Sequence, residues 1–584
     1  MPNRPQRKPA RAIFTTKIAM VPIIEIQIHG KAVLAKSKKL LFRSMDMNPF
    51  VIFGVMADLQ NSSASEKRVK KHVIGKPHRF LAVAPLGFEE TLVDELKFLQ
   101  IASSATSNST PASSTTKQGT APTTVTEEPH IVSDGKVDFT AKITEAWKAV
   151  AYSRIANRIL MEIGNFKAEN FGQLEKGAAA IPWELYLDER QNTARGPIED
   201  FPCIHVTCKH SRLYHSDAVE ERVRKIIEKA LDTNAVSSSS AAKTSVAKGC
   251  SQNLYVNLLD DRCTIWLDLA GEELYKRGHE RFVAEAPLKE TIAAAMIFEA
   301  CRLQVPGSRL QASGDNTASA TPQSERCERP HTSKRSDLIT FIDPMAGSGT
   351  FSLETAYIAN GLIPGKCRDF ALKHQTAFKE ATWNFILKGV SPQSESNERL
   401  SNNQLSTSYS LLPTIITSDI SERPINIIKH NIENSPLKDI YASAGENAIA
   451  KINPQLKDFF SYTAQDILKA APEANSAIIL LNPPYGKRLD CDAPSLYSRI
   501  GKKLSDLAQE LRTIASKGPQ AAGPISLIVA ILAPKDDTRG GAHYTCTENL
   551  LKACPALNPS NNPEAKLIET SHGGFSLNAI FARI

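Results

Sequence analysis

Asn482-Pro483-Pro484-Tyr485-Gly486 brings together the groups needed to handle an aromatic amine. Asn482 offers a side-chain carbonyl, the Pro483 carbonyl has no competing local N–H, and Tyr485 offers a flat face. Two acceptors and an aromatic platform suit a planar base with an exocyclic amine. The apolar run Ala477 to Leu481 before them reads as a buried parallel strand, and two prolines force the chain out of the sheet there. In open α/β sheets, ligands bind at that carboxyl end. Taken alone, the stretch also reads as a Pro-rich turn.

The stretch Phe341-Ile342-Asp343-Pro344-Met345-Ala346-Gly347-Ser348-Gly349-Thr350 supplies a complementary half. A strand end, an acid, a Gly-x-Gly turn and a helix start make a nucleotide-type pocket, in which glycines admit a ligand close to backbone. It is no dinucleotide fingerprint, because the third glycine is missing, and no P-loop, because no Gly-Lys-Ser/Thr follows. Asp343 would repel a pyrophosphate and suits a cationic or zwitterionic ligand such as S-adenosylmethionine. Asp419 ends a second strand, from Thr414, where a carboxylate can accept both ribose hydroxyls. It lies much farther from Gly347 than the usual ~20 residues, and residues 361–410 account for the excess.

At these residues the chain resembles a known family. Asp343-Pro-Met-Ala-Gly-Ser-Gly-Thr350 and Asn482-Pro-Pro-Tyr-Gly-Lys-Arg488 are similar to the first and fourth motifs of amino-group methyltransferases. From about Phe80 to the C-terminus the chain resembles THUMP-domain class I RNA methyltransferases, in particular the bacterial 23S rRNA guanine-N2 methyltransferase family. The resemblance implies an α/β fold: a Rossmann-like methyltransferase domain, mostly parallel with a terminal antiparallel hairpin, preceded by an α+β ferredoxin-like and THUMP module. It implies S-adenosylmethionine as cofactor and RNA, 23S rRNA or its precursor, as partner. Catalysis falls to Asn482, Pro483, Pro484 and Tyr485. Cofactor binding falls to Asp343, Ala346, Gly347, Gly349, Thr350, Asp419, Asp466 and Asn482. Ala346 stands where close relatives often carry Cys, and both are small. Asp466 stands where the family places an acid accepting from the adenine amine; it also reads as a helix N-cap before Ile467. Lys289 and Glu290 match the helix that opens the methyltransferase domain.

The elements must position these residues. A length of 584 residues suggests two to four domains. Four segments are expected: an N-terminal extension (1–77), a ferredoxin-like domain (78–170), a THUMP domain (171–283) and the methyltransferase domain (284–584). Ser/Thr/Ala-rich or polar insertions fall at 102–128, 235–248, 307–336 and 391–410. The basic run Lys67 to His72 is expected to be a solvated linker or a phosphate contact. In the THUMP-like part, a strand at Ile204–Cys208, a loop and a helix from Asp217 to Leu231 carry Lys209, Arg212, Arg222, Arg224 and Lys225. A basic loop and helix face would contact RNA phosphates without reading sequence, the competing reading being a solvated face. Pro287 is expected at a helix start. Lys566 onward reads as a hairpin around Gly573-Gly574, and no second activity is expected after it.

Net charge +8 and pI near 8.8 permit a polyanionic partner. Ten cysteines without a Cys-x-x-Cys pair indicate neither a metal site nor a disulfide framework, so reduced thiols and a cytoplasmic location are expected. No run of ~18 apolar residues suggests a membrane span, and no protein partner can be inferred. Three other readings fit the motifs. They are a tRNA guanine-N2 methyltransferase, an adenine-N6 DNA methyltransferase, and a non-catalytic RNA-binding assembly factor.

Overall fold

The computed structural model describes residues 64–102, 127–187, 202–232, 252–284, 287–304, 339–388, 414–444, 450–470, 474, 476–485, 492–517, 525–537 and 545–584. Most of the polar insertions and of the N-terminal extension lie outside these. The chain divides into residues 1–66 and 67–584, and both sheets belong to the second unit.

The first sheet contains β1 (Pro77–Val83), β2 (Glu127–Ser133), β3 (Lys136–Lys142), β4 (Arg158–Lys167), β5 (Cys203–Lys209), β6 (Asn253–Leu259) and β7 (Arg262–Asp268), in the order β2-β3-β1-β4-β7-β6-β5. Only the β5–β6 pair is parallel. Among the described residues, helices α1 (Glu89–Phe98), α2 (Ile143–Tyr152), α3 (Phe171–Ala179) and α4 (Ser216–Asp232) accompany it. The boundary expected between residues 170 and 171 therefore does not separate two sheets. The free edge of β4 pairs antiparallel with β7, so the ferredoxin-like and THUMP-like parts share one ladder. Neither β4 nor β2 is expected from the sequence. Pro129 inside β2 argues against a strand, and the structure accommodates it because β2 is an edge.

The basic run after residue 66 is also not a linker. Residues 64–74 are helical, and Val69 and Val73 are buried while the lysines face outward.

The second sheet has the order β10-β9-β8-β11-β12-β14-β13. Strands β8 (Ile339–Asp343), β9 (Thr414–Asp419), β10 (Ile452–Leu456), β11 (Ser476–Leu481) and β12 (Ser526–Pro534) are parallel. The pair β13 (Lys566–His572) and β14 (Phe575–Arg583) closes it antiparallel. All residues of β8 and β11 are buried, which is why these strands read as unbroken apolar runs. From β8 the chain goes to β9 on one side and later to β11 on the other. That reversal opens a crevice at the strands' carboxyl ends. Helices α5 (Glu290–Arg302), α6 (Thr350–Ala359), α7 (Glu422–Glu433), α8 (Ala464–Ala470) and α9 (Ala493–Lys517) flank this sheet. Helix α5 begins three residues after Pro287, with Lys289 as its N-cap.

The two sheets share one hydrophobic core. A single cluster joins Phe80, Phe139 and Trp147 to Ile292, Met296, Ile478, Ile528 and Phe581. Polar ties cross the same seam. Thr91 Oγ1 donates to Glu299 at 2.6 Å, and Arg302 pairs with Asp94 at 2.5 Å. In the connector between β7 and α5, Arg277 reaches both carboxylate oxygens of Glu354 on α6, at 3.0 and 3.2 Å. Its remaining N–H groups donate to the carbonyls of Leu274 and Arg154. Glu354 is fully buried, and Arg154 Nη1 lies 3.6 Å from it.

A buried carboxylate without its cation is costly. Arg277→Met should therefore lower stability by about 3 kcal/mol or more. The double variant Arg277→Met/Glu354→Leu should recover part of that loss in denaturant unfolding. A single variant unfolding with the wild type would show that the pair does not hold this seam.

Candidate active site

The glycine turn after β8 is held from below by the neighbouring strand. Ala346 N donates to Ser418 O at 3.0 Å, and Gly347 N donates to Asp419 Oδ2 at 3.0 Å. The other Asp419 oxygen accepts from Ser421 N at 3.0 Å. One carboxylate thus ties the end of β9 to the turn and to the start of α7. Gly347 and Gly349 have φ of +53° and +77°, the left-handed region. They differ in what surrounds them. A Cβ on Gly347 would meet nothing within 4 Å, whereas one on Gly349 would lie 2.8 Å from Ile428 Cγ1. Gly347 faces the crevice; Gly349 is there for helix packing.

Facing the turn across the crevice, Asn482 to Tyr485 leave the end of β11. Tyr485 donates its hydroxyl to Asn482 Oδ1 at 2.5 Å, which fixes the amide, and burial pushes the phenol pKa up. The Tyr485 ring lies 5.6 Å from that of Phe575, centroid to centroid, tilted by 55°. Phe575 and His572 come from the terminal hairpin, with His572 Nε2 2.8 Å from Pro287 O. Ala284 and Leu288 from the connector, and Ile420, Arg423 and Ile427 around α7, complete a cleft of about 450 Å³. Behind it, Arg281 pairs with Glu290 and donates to Thr350 Oγ1 at 2.5 Å. The fully buried Asn431 donates to Ser348 O and exchanges hydrogen bonds with the backbone of Phe282.

Of the residues expected at the site, Ala346, Gly347, Thr350, Asp419, Asn482, Pro483, Pro484 and Tyr485 line this cleft. Three do not. Asp343 is buried beneath the turn, accepting from Ser352 N and Oγ at 3.1 and 2.7 Å. Burial raises its pKa to about 7 against those hydrogen bonds, and the charge of Asp419 adds to the rise. Gly349 packs on Ile428. Asp466 accepts from Thr463 N and Oγ1, both at 2.8 Å, and pairs with Lys457 at 3.0 Å. It closes a capping box at the start of α8 and is not in the cleft wall.

Most of the expected basic residues form ion pairs. Arg222 pairs with Glu175 and lies over Phe171, Arg224 pairs with Glu220, and Lys225 pairs with Glu221. Helix α4 contains five acidic and four basic residues, so it is not a basic surface. Arg212 pairs with Glu169 and Asp261, and Lys209 is exposed.

The residues that sequence reasoning missed, His572, Phe575, Arg281 and Asn431, have no local signature. The terminal hairpin brings His572 and Phe575 to the cleft, while Arg281 from the connector and Asn431 from α7 meet behind it. Among the described residues, no group of His, Cys, Asp or Glu side chains is placed to hold a metal ion, and no helix is long and apolar enough to cross a membrane.

The two glycines should separate in stability measurements. Gly347→Ala should cost about 1 kcal/mol, the ordinary penalty of positive φ. Gly349→Ala should cost about 1–3 kcal/mol more, because its Cβ displaces Ile428. Equal losses on thermal unfolding would contradict this division of labour.

Comparison with known proteins agrees with the fold. Residues 332–517 match the family model of RMKL-like methyltransferase domains. The chain is 27% identical over 359 residues to the "Putative RNA methyltransferase YpsC" of Bacillus subtilis, covering 61% of this chain and 73% of that one. It is 25% identical over 443 residues to the ribosomal RNA large subunit methyltransferase K/L of Syntrophotalea carbinolica, covering 73% of this chain but only 47% of that one. The chain thus spans less than half of that K/L relative. Among solved structures, SMU.472, a "putative methyltransferase complexed with SAH", superposes with a TM-score of 0.53 at 20% identity, covering 87% of this chain and 98% of that one. A "predicted N6-adenine-specific DNA methylase" from Listeria monocytogenes superposes with a TM-score of 0.51 at 20% identity, covering 86% and 96%. The second sheet has the class I methyltransferase fold, and the chain resembles the THUMP-type RNA methyltransferases.

Proposed function

We propose that this protein transfers a methyl group from S-adenosylmethionine to the exocyclic N2 amine of a guanosine in RNA, specifically large-subunit ribosomal RNA. One observation carries the reading: the fold brings Asn482 to Tyr485 and the Gly347 turn into one cleft at the switch point of the sheet. The names of the relatives support RNA as substrate and ribosomal RNA within that class.

The cleft suits the cofactor. Its volume of about 450 Å³ is in the range of small-molecule sites. Gly347 leaves room where any side chain would intrude, and Asp419 stands at the strand end where ribose hydroxyls are accepted. Ile420, exposed beside it, offers an apolar wall to a ring. When bound, the cofactor supplies the electrophilic methyl group.

The protein's own residues address the amine. An aryl amine is a poor nucleophile because its lone pair is delocalised into the ring. Asn482 Oδ1 and the Pro483 carbonyl, each accepting one amine hydrogen, favour a pyramidal nitrogen with its lone pair directed out. The same acceptors stabilise the positive charge that grows as the N–C bond forms. The Tyr485 hydroxyl uses one lone pair of Asn482 Oδ1 and leaves the other for the amine. Tyr485 and Phe575, packed on one another, offer an aromatic wall to the ring, which must leave its helix or stack to enter. The proton lost from nitrogen after transfer passes to water.

In an assay with tritiated S-adenosylmethionine and unmodified ribosomal RNA, Asn482→Ala should lower turnover about 100-fold or more. Cofactor affinity by calorimetry should fall much less than turnover. Full turnover in the variant would remove Asn482 from the reaction.

A further inference from the structure

We infer that the loop between β5 and α4, together with the edge strand that leads into it, is a stacking site for unpaired nucleotides of the RNA, centred on Tyr214 and His215. The inference rests on the reading that RNA is the substrate and names where that RNA is held away from the cleft.

Tyr214 is 70% exposed, unusual for a side chain whose ring is normally at least half covered. Its ring pairs with that of the exposed His215 at 4.1 Å between centroids, tilted by 42°. The exposure does not come from a loose loop. Leu213 is anchored in the core beside Val219 and Val223. Ser211 Oγ donates to Lys209 O at 3.0 Å and accepts from Asp261 N at 3.1 Å, and Arg212 N donates to Asp261 Oδ1 at 2.7 Å. The backbone is thus tied on one side of Tyr214 and runs into α4 on the other. The two rings are presented in a fixed place, so little conformational freedom is lost when a base stacks on them.

The approach to the loop repeats the pattern. Strand β5 is the edge of the sheet, and His205, Thr207 and Lys209 are the exposed residues along one of its faces. The His205 ring stacks on Tyr255 at 4.9 Å and 22°. In chain order a ring pair is followed by Lys209, by Arg212 and by a second ring pair. Arg212 remains 69% exposed although Glu169 and Asp261 each lie 3.4 Å away, and exposed pairs of this kind are weak enough to exchange for a phosphate. Cations alternating with open aromatic faces suit single-stranded RNA, since every base has a face to stack. Helix α4, with its surplus of acids, does not offer this.

The test uses the full-length double variant Tyr214→Ala/His215→Ala beside Tyr214→Phe, with a fluorescein-labelled single-stranded RNA decamer and a blunt RNA duplex as probes. The double variant should bind the decamer about tenfold more weakly, with duplex binding within about twofold of wild type. In methylation assays KM for RNA should rise while turnover at saturating RNA and cofactor affinity hold, and Tyr214→Phe should behave as wild type. Unchanged decamer binding, or equal weakening for both probes, would overturn the inference. A wild type that binds the decamer in this way yet methylates no RNA would instead overturn the proposed activity and leave the stacking site standing.

Discussion

The architecture depends on one buried carboxylate. Helix α6 carries the glycine turn at its amino end, and its residues Thr350 to Tyr357 are all buried, so it has no solvent-facing side. Glu354 lies at its centre with no exposure to water. An isolated charge in that position is prohibitive. Arg277 from the connector and Arg154 from the first sheet's side approach it, and each also donates to backbone carbonyls. The helix that shapes the cleft therefore reaches its place only when the N-terminal sheet and connector are in theirs.

That dependence explains why the two sheets are not beads on a string. Helix α5 packs on α1 through Glu299 and on β12 and β14 through its apolar residues. The connector after β7 lines the cleft with Ala284 and Leu288 and reaches the turn through Arg281. On the proposed reading, a base delivered to the cleft would be measured from a fixed surface rather than from a tethered one. Under the proposed activity, selectivity for one nucleotide can then be geometric, since two amine acceptors and a pair of rings would not distinguish one guanosine from another.

The sequence was most legible where chemistry is local. Asn482 to Tyr485 and the Gly347 turn announce themselves because the prolines, the glycines and the apolar strands before them impose their conformations within a few residues. Legibility failed where function depends on what a distant segment does. Gly349 and Gly347 look alike in the chain, and only Ile428 on α7 separates their roles. Asp466 occupies a plausible position, but Thr463 three residues earlier claims its carboxylate. The cations of α4 resemble a basic surface in the chain, yet each of Arg222, Arg224 and Lys225 has an acidic partner in the fold. The hairpin of β13 and β14 is legible around Gly573-Gly574, but that it carries Phe575 and His572 to the cleft depends on the non-local pairing of β14 with β12. The sheet shared across residue 170 was illegible for a similar reason: the pairing of β4 with β7 is non-local.

The central claim is that this cleft methylates the N2 amine of guanosine in RNA. The most direct measurement is nucleoside chromatography after incubating the purified protein with tritiated S-adenosylmethionine and unmodified total RNA. The label should elute with N2-methylguanosine. Label in N6-methyladenosine, or in DNA supplied alongside and not in RNA, would contradict it.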